Sequence, residues 1–173
     1  VHSKEKIVTI QCQPPVIFVK DITVSRRFYE DLLDQKVAMD MGLNLSFEGG
    51  FALWQADHAY QMIFNAPVSD TSPLGRGNFE FCFETDDLDA VCARLTEAGV
   101  PFVCPPHEQP WGQRVFHVYD PDGHLVEVGE LMKVIVARFL AQGISAEDTA
   151  RRTGMPLEMV QQIAQANSDK VEG

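Results

Sequence analysis

The chain runs through the same order of segments twice, and this repeat limits the possible folds more than any single motif. Pro15 to Val19 is a short apolar run. Asp21 follows it, and Val24, Phe28, Tyr29, Leu32 and Leu33 then recur at helical spacing. Three strand-like runs come next: Val37 to Met41, Leu43 to Phe47, and Phe51 to Gln55, with Gly49-Gly50 turning into the last. The second half has the same order. Phe79 to Thr85 is a strand, Asp87 opens a helix closed by Gly99, and Val100 to Cys104, Arg114 to Tyr119 and His124 to Val128 complete the set. Laying Asp21 on Asp87 and Gly50 on Gly123 aligns the halves with a seven-residue difference in internal length. Each half predicts one βαβββ unit, so the fold class is α+β. Ala56 to Gly77, with Pro67, Ser72-Pro73 and two glycines, reads as the linker between them.

The strongest local signal is Asp120-Pro121-Asp122-Gly123 between two runs rich in Val and Phe. Pro121 fixes one φ and Gly123 is free to take a positive one, so the stretch predicts a hairpin. The returning strand reads Leu125-Val126-Glu127-Val128, which puts the Glu127 carboxylate on the face opposite the two valines. On a half-buried strand that carboxylate must meet either water or a ligand.

Composition narrows the partners. Against 14 basic residues stand 25 acidic ones, a net charge of −11, which argues against nucleic acid and anionic membrane. No apolar run approaches the length of a membrane span, and the N-terminal stretch lacks the apolar core of a signal peptide, so the expected location is cytoplasmic. Cys12, Cys82, Cys92 and Cys104 show no C-x-x-C spacing. They are expected to be buried and reduced, with a structural zinc site or a nucleophilic cysteine as the alternatives.

Val19-Lys-Asp-Ile-Thr-Val-Ser-Arg-Arg-Phe-Tyr-Glu-Asp-Leu-Leu33, Asp86-Asp-Leu-Asp89 and Trp111-Gly-Gln-Arg114 with Asp120-Pro-Asp-Gly-His-Leu-Val-Glu127 carry a family resemblance. The chain resembles the vicinal oxygen chelate superfamily, which holds glyoxalase I, fosfomycin and bleomycin resistance proteins, and extradiol dioxygenases. The resemblance spans residues 7–130, as modules of about 7–56 and 78–130. It implies mixed sheets curled around a small-molecule pocket, commonly with a divalent metal, and a homodimer whose pockets are completed across two chains.

The resemblance also implies two ligand positions per module, on the first and last strands. Glu127 matches one, and Glu80, seven residues before Asp87, stands where the family most often has His. In the first module the corresponding positions fall on Pro14 and Trp54, which offer no ligand atom; Gln13 and Gln55 are adjacent but point away. The expectation is therefore a small-molecule pocket that has lost its metal and binds through Trp54, Phe18 and Trp111. Arg114 would hold an anionic group there, and His117 would join the lining. Without a cation the Glu80 and Glu127 carboxylates repel, and one of them can act as a catalytic acid. The alternative is a divalent-metal lyase, isomerase or dioxygenase with Glu80, Glu127 and His117 as ligands. The other histidines are expected in solvent: His2 near the terminus, His58 and His107 in loops, and His124 after the turn glycine.

Residues 131–167 predict three helices beyond the family frame. Leu131 to Gln142 ends at Gly143, Ser145 with Asp148 forms a box-like cap, and Pro156 begins the last segment. The stretch Gly143 to Val160 resembles the helix-turn-helix appendage of regulators and transposase-related proteins. Between Leu131 and Gly173 five basic residues face five acidic ones, so the segment lacks the basic surface that DNA binding needs. A helical cap on the sheet or on a partner subunit is the expected use, and a ligand-responsive regulator is the alternative.

Overall fold

A computed structural model describes residues 13–67 and 74–171, with side chains through Ala166. His2, Cys12, Ser72-Pro73 and the expected start of the first module at residue 7 lie outside them. The chain divides into two compact units, Val1–Asp70 and Thr71–Gly173.

The first unit opens with β1 (Val16–Val19) and α1 (Ile22–Arg27), continued as a π-helical turn over Phe28–Leu32. Asp21 caps the helix, its Oδ1 accepting from Thr23 N at 2.8 Å and Val24 N at 3.2 Å. A cap of this kind contributes about 1 kcal/mol. β2 (Val37–Asp40), β3 (Asn44–Phe47) and β4 (Phe51–Gln55) complete a sheet of order β1-β4-β3-β2, with β1 parallel to β4. Leu45, Phe47, Phe51 and Leu53 point to the helix side and are buried. There Tyr29 packs on Phe51 and Phe47, at ring distances of 5.1 and 6.1 Å. Each such side chain stabilises the fold by roughly 1.5–3 kcal/mol.

The expected linker is a helix over its first half. α2 (Ala56–Phe64) leaves β4 with no intervening loop and ends at Asn65, in the left-handed region at φ 50°. Ala56 and Ala59 are its only buried residues, while Met62, Ile63 and Phe64 are exposed. Gln55 gives it no side-chain cap. It therefore has neither a start signal nor a clean apolar stripe in the sequence, and His58 lies on this helix rather than in a loop.

The second unit repeats the plan. β5 (Glu80–Thr85) leads to α3 (Leu88–Glu97), capped by Asp87 through Ala90 N at 3.0 Å. β6 (Phe102–Glu108), β7 (Arg114–Tyr119) and β8 (Leu125–Glu130) follow, in sheet order β5-β8-β7-β6. Phe116, Val118, Val126 and Val128 face Leu88 and Leu95 of α3 and are buried. β6 runs past its expected end at Cys104, through Pro105 and Pro106, to Glu108, so His107 sits on a strand and not in a loop. Proline cannot donate to a ladder, but β6 is an edge strand and its register shifts on either side of Cys104.

The three expected C-terminal helices are present as α4 (Met132–Ala141), α5 (Ala146–Thr153) and α6 (Leu157–Val171), within the same compact unit as the second sheet. Ser145 caps α5 by accepting from Asp148 N at 3.0 Å. Ile135, Val136, Phe139 and Val160 form their core. Arg138 ties α4 to the sheet, reaching the Glu130 carboxylate at 3.0 Å and donating to the Gly112 carbonyl. A side chain on Gly112, whose φ is +91°, would collide with the Phe139 ring. Arg152 of α5 crosses that ring at 4.4 Å and pairs with Glu108 of β6 at 2.8 Å. No helix among the described residues is long and apolar enough to cross a membrane.

Candidate functional site

The Asp-Pro-Asp-Gly turn sets the site's register. Gly123, at φ +84°, donates to Asp120 O at 3.0 Å. The buried Asp120 carboxylate accepts from Asp122 N and His124 N, and lies 2.9 Å from His124 Nδ1. With the turn fixed, Tyr119 pairs with Leu125 and His117 with Glu127. A slip of one residue would turn Glu127 into the core, so the turn and the alternation of Val126 and Val128 specify the same answer.

Across the sheet, Cys82, Glu127, His117 and Cys104 stand on one rung, one from each strand. Glu80 stands on the same face, two residues before Cys82. His117 Nε2 lies 3.2 Å from a Glu127 oxygen and 3.7 Å from a Glu80 oxygen, and the three donor atoms all lie within 4.8 Å of one another. A divalent ion about 2.0–2.2 Å from N and O donors sets neighbouring donors roughly 3.0–3.5 Å apart. The residues present fit such an ion: two carboxylates neutralise it, one imidazole completes three ligands, and the face is open for further oxygen ligands. Glu80 is 43% exposed at its side chain and His117 17%, so the cluster opens toward solvent past Glu80.

Thiols flank the cluster. Cys104 Sγ is 3.4 Å from His117 Nδ1, and the His107 ring lies nearly parallel to His117 at 6.3 Å. The Cys82 thiol is pushed up to about 11, chiefly by partial desolvation of its sulfur and then by the charges of Glu80 and Glu127. It is protonated at neutral pH, which makes Cys82 a poor nucleophile. The expectation of buried cysteines is corrected here: Cys82 is exposed, and Cys92 and Cys104 are half-buried.

The other expected site residues fall in three places. Arg114 lies on the opposite face of β7 from His117 and grips Asp89 of α3 at 2.6 and 3.2 Å. Its hydrogen bonds hold the Asp89 carboxyl below the usual carboxylate value and raise its own guanidinium. Trp111 lies in the β6–β7 loop and donates from Nε1 to Gln113 at 2.9 Å. Gln113 in turn donates to Glu130 O at 2.9 Å.

Phe18 and Trp54 meet in the first unit, edge to face at 6.1 Å. α2 supplies two further partners that sequence reasoning missed: Tyr60 against Phe18 at 5.9 Å, and His58, whose Nδ1 accepts from Trp54 Nε1 at 2.8 Å. Neither had a signal in the sequence, because α2 itself has no side-chain cap and few buried residues to mark it. Gln55 turns away, as strand alternation requires, and accepts from Ile22 N at 3.1 Å. The strand register also corrects one equivalence. Val16 pairs with Ala52 as Cys82 pairs with Glu127, so Ala52, not Trp54, holds the position that matches Glu127.

Two βαβββ modules of identical strand order define the class: the fold is that of the vicinal oxygen chelate superfamily. Residues 12–133 match the glyoxalase-like domain, and the chain belongs to that family. It is similar to the crystal structure of a protein of unknown function from Agrobacterium tumefaciens strain C58, at 38% identity and a TM-score of 0.65, covering 72% of this chain and 97% of the other. A glyoxalase/bleomycin resistance protein/dioxygenase from Nocardioides shares the fold at 24% identity and a TM-score of 0.54, over 72% and 85% of the two chains. A lactoylglutathione lyase from Agrobacterium tumefaciens does so at 24% and 0.51, over 69% and 92%. No curated protein matches the chain.

Proposed function

We propose that the protein binds a small molecule through a divalent cation held by Glu80, His117 and Glu127, as a metal-dependent enzyme of the lyase, isomerase or dioxygenase kind. The convergence of these three donors from three adjacent strands carries this reading. A bound cation would supply Lewis-acid polarisation of a substrate oxygen. The chain's own residues do the rest. Glu80 and Glu127 offset the cation's charge, His117 fixes its place, and the exposed side of Glu80 leaves an approach for substrate. Trp111 is proposed as apolar lining in the second unit, Phe18 and Trp54 as a separate aromatic surface of the first, and the protein as a homodimer. The C-terminal helices are proposed as a cap: Arg138, Arg151 and Arg152 are each engaged by a carboxylate, which suits packing better than phosphate contact.

A second reading, a metal-free pocket, is favoured by the contacts that His117 already makes with both carboxylates. Metal analysis of the purified protein separates the two. The first predicts close to one equivalent of Zn, Ni, Mn or Fe, lost in Glu127→Ala. Protein that takes up none of these ions at micromolar concentration leaves the second standing.

A further inference from the structure

The fourth strand of the second sheet delivers a sulfur to the back of His117. β6 pairs Phe102 with Val118 but Cys104 with His117, so two steps along β6 match one along β7. An unbroken ladder from Phe102 would have set Val103 opposite His117. The irregularity sets Cys104 there instead, and Phe102 stays on the core side against Phe116 at 5.2 Å. Bulges re-aim side chains in this way next to sites. A second shift follows between Cys104 and His107, where Pro105-Pro106 cannot donate to the ladder. The result is a ring addressed on both nitrogens: Nε2 by Glu127 and Glu80, and Nδ1 by Cys104 Sγ at 3.4 Å.

We propose that Cys104 is the positioning residue of His117, its sulfur accepting from Nδ1–H so that the Nε2 lone pair is turned toward Glu80 and Glu127. That direction of the bond and its role in cation binding rest on the function proposed above, since without a cation a carboxylate 3.2 Å from Nε2 favours a proton on that nitrogen; the contact that holds the ring, with the thiol then donating to Nδ1, does not. Histidine ligands commonly donate their second nitrogen to a carboxylate or carbonyl, and losing that partner costs roughly 10- to 100-fold in metal affinity. A thiol accepts more weakly than either, yet it is compact enough to fit beside the ring on the same rung.

The experiment uses the full chain, with Cys104→Ala and Cys104→Ser, and two readouts. Long-range proton–nitrogen NMR of His117 is recorded without metal and with Zn²⁺, and Zn²⁺ affinity is measured by calorimetry. Without metal, the Nδ1 resonance moves in Cys104→Ala and returns toward its wild-type position in Cys104→Ser. Zn²⁺ affinity falls roughly 10- to 100-fold in the alanine variant, and the serine variant recovers most of it. An Nδ1 resonance indifferent to residue 104 overturns the positioning role. Unchanged Zn²⁺ affinity in Cys104→Ala, in protein whose wild type binds Zn²⁺, overturns its link to the cation. If the resonance responds as expected but wild type binds no Zn²⁺, the positioning stands and the proposed function falls.

Discussion

Across the first sheet one rung reads Val16, Ala52, Ser46 and Met39; across the second, the matching rung reads Cys82, Glu127, His117 and Cys104. Even the irregularity recurs, since β2 shifts between Val37 and Met39 as β6 shifts between Phe102 and Cys104. The helix sides are alike too, both closed by buried Leu, Val and Phe. What separates the modules is the chemistry placed on one face of a shared frame. Fold is set by the face that packs, and the other face is free to differ.

The largest expected effect breaks that asymmetry directly. His117→Ala or Glu127→Ala removes one of three ligands and should lower divalent-metal affinity by more than about 100-fold, read by calorimetry. Ser46→Ala, on the matching position of the first sheet, should leave the affinity unchanged. The shared half of the comparison is sharpened by Leu53→Ala and Leu95→Ala. Both leucines are fully buried, and each change should cost about 2–5 kcal/mol in denaturant unfolding. A loss confined to one module would contradict their equivalence as cores.

Smaller effects follow from titration and surface pairing. Partial desolvation, helped by Glu80 and Glu127, lifts the Cys82 thiol from 9.0 to about 11. The folded chain thus holds this proton more tightly than the unfolded one. Its contribution to stability is full below about pH 9 and is lost as pH rises through about 11. In metal-free protein, alkylation of Cys82 should therefore reach half its maximal rate near pH 11; a midpoint near 9 would contradict the desolvation of its sulfur and the charges beside it. The smallest effect is expected of Asp89→Asn, which loosens an exposed pair with Arg114. Stability should change little, since exposed pairs contribute little, with metal affinity untouched, because Arg114 stands on the other face of β7.

Local signals were legible in the sequence where the physics is local. Asp21 and Asp87 announced their helices, Gly123 its turn, and the alternation around Glu127 its exposed face. Features that depend on a partner strand were not. Gly50 is followed at once by the core residue Phe51, whereas His124 and Leu125 intervene between Gly123 and Val126. Counting from the glycines therefore slipped by two residues and chose Trp54 over Ala52. Glu80, Glu127 and His117 were each named from the sequence, but their closeness depends on how three strands pair. Cys104 was out of reach altogether, because a bulge decides what it touches. α2 was missed because two buried alanines leave little periodic trace.

The central claim is that one module binds a cation and its twin does not. Anomalous diffraction from crystals grown with Mn²⁺ or Zn²⁺, recorded at the metal's absorption edge, addresses it most directly. The account predicts one strong peak among Glu80 Oε2, His117 Nε2 and Glu127 Oε2, and none beside Ala52 and Ser46. No peak at the Glu-His-Glu cluster, or an equal peak on the first sheet, would contradict it.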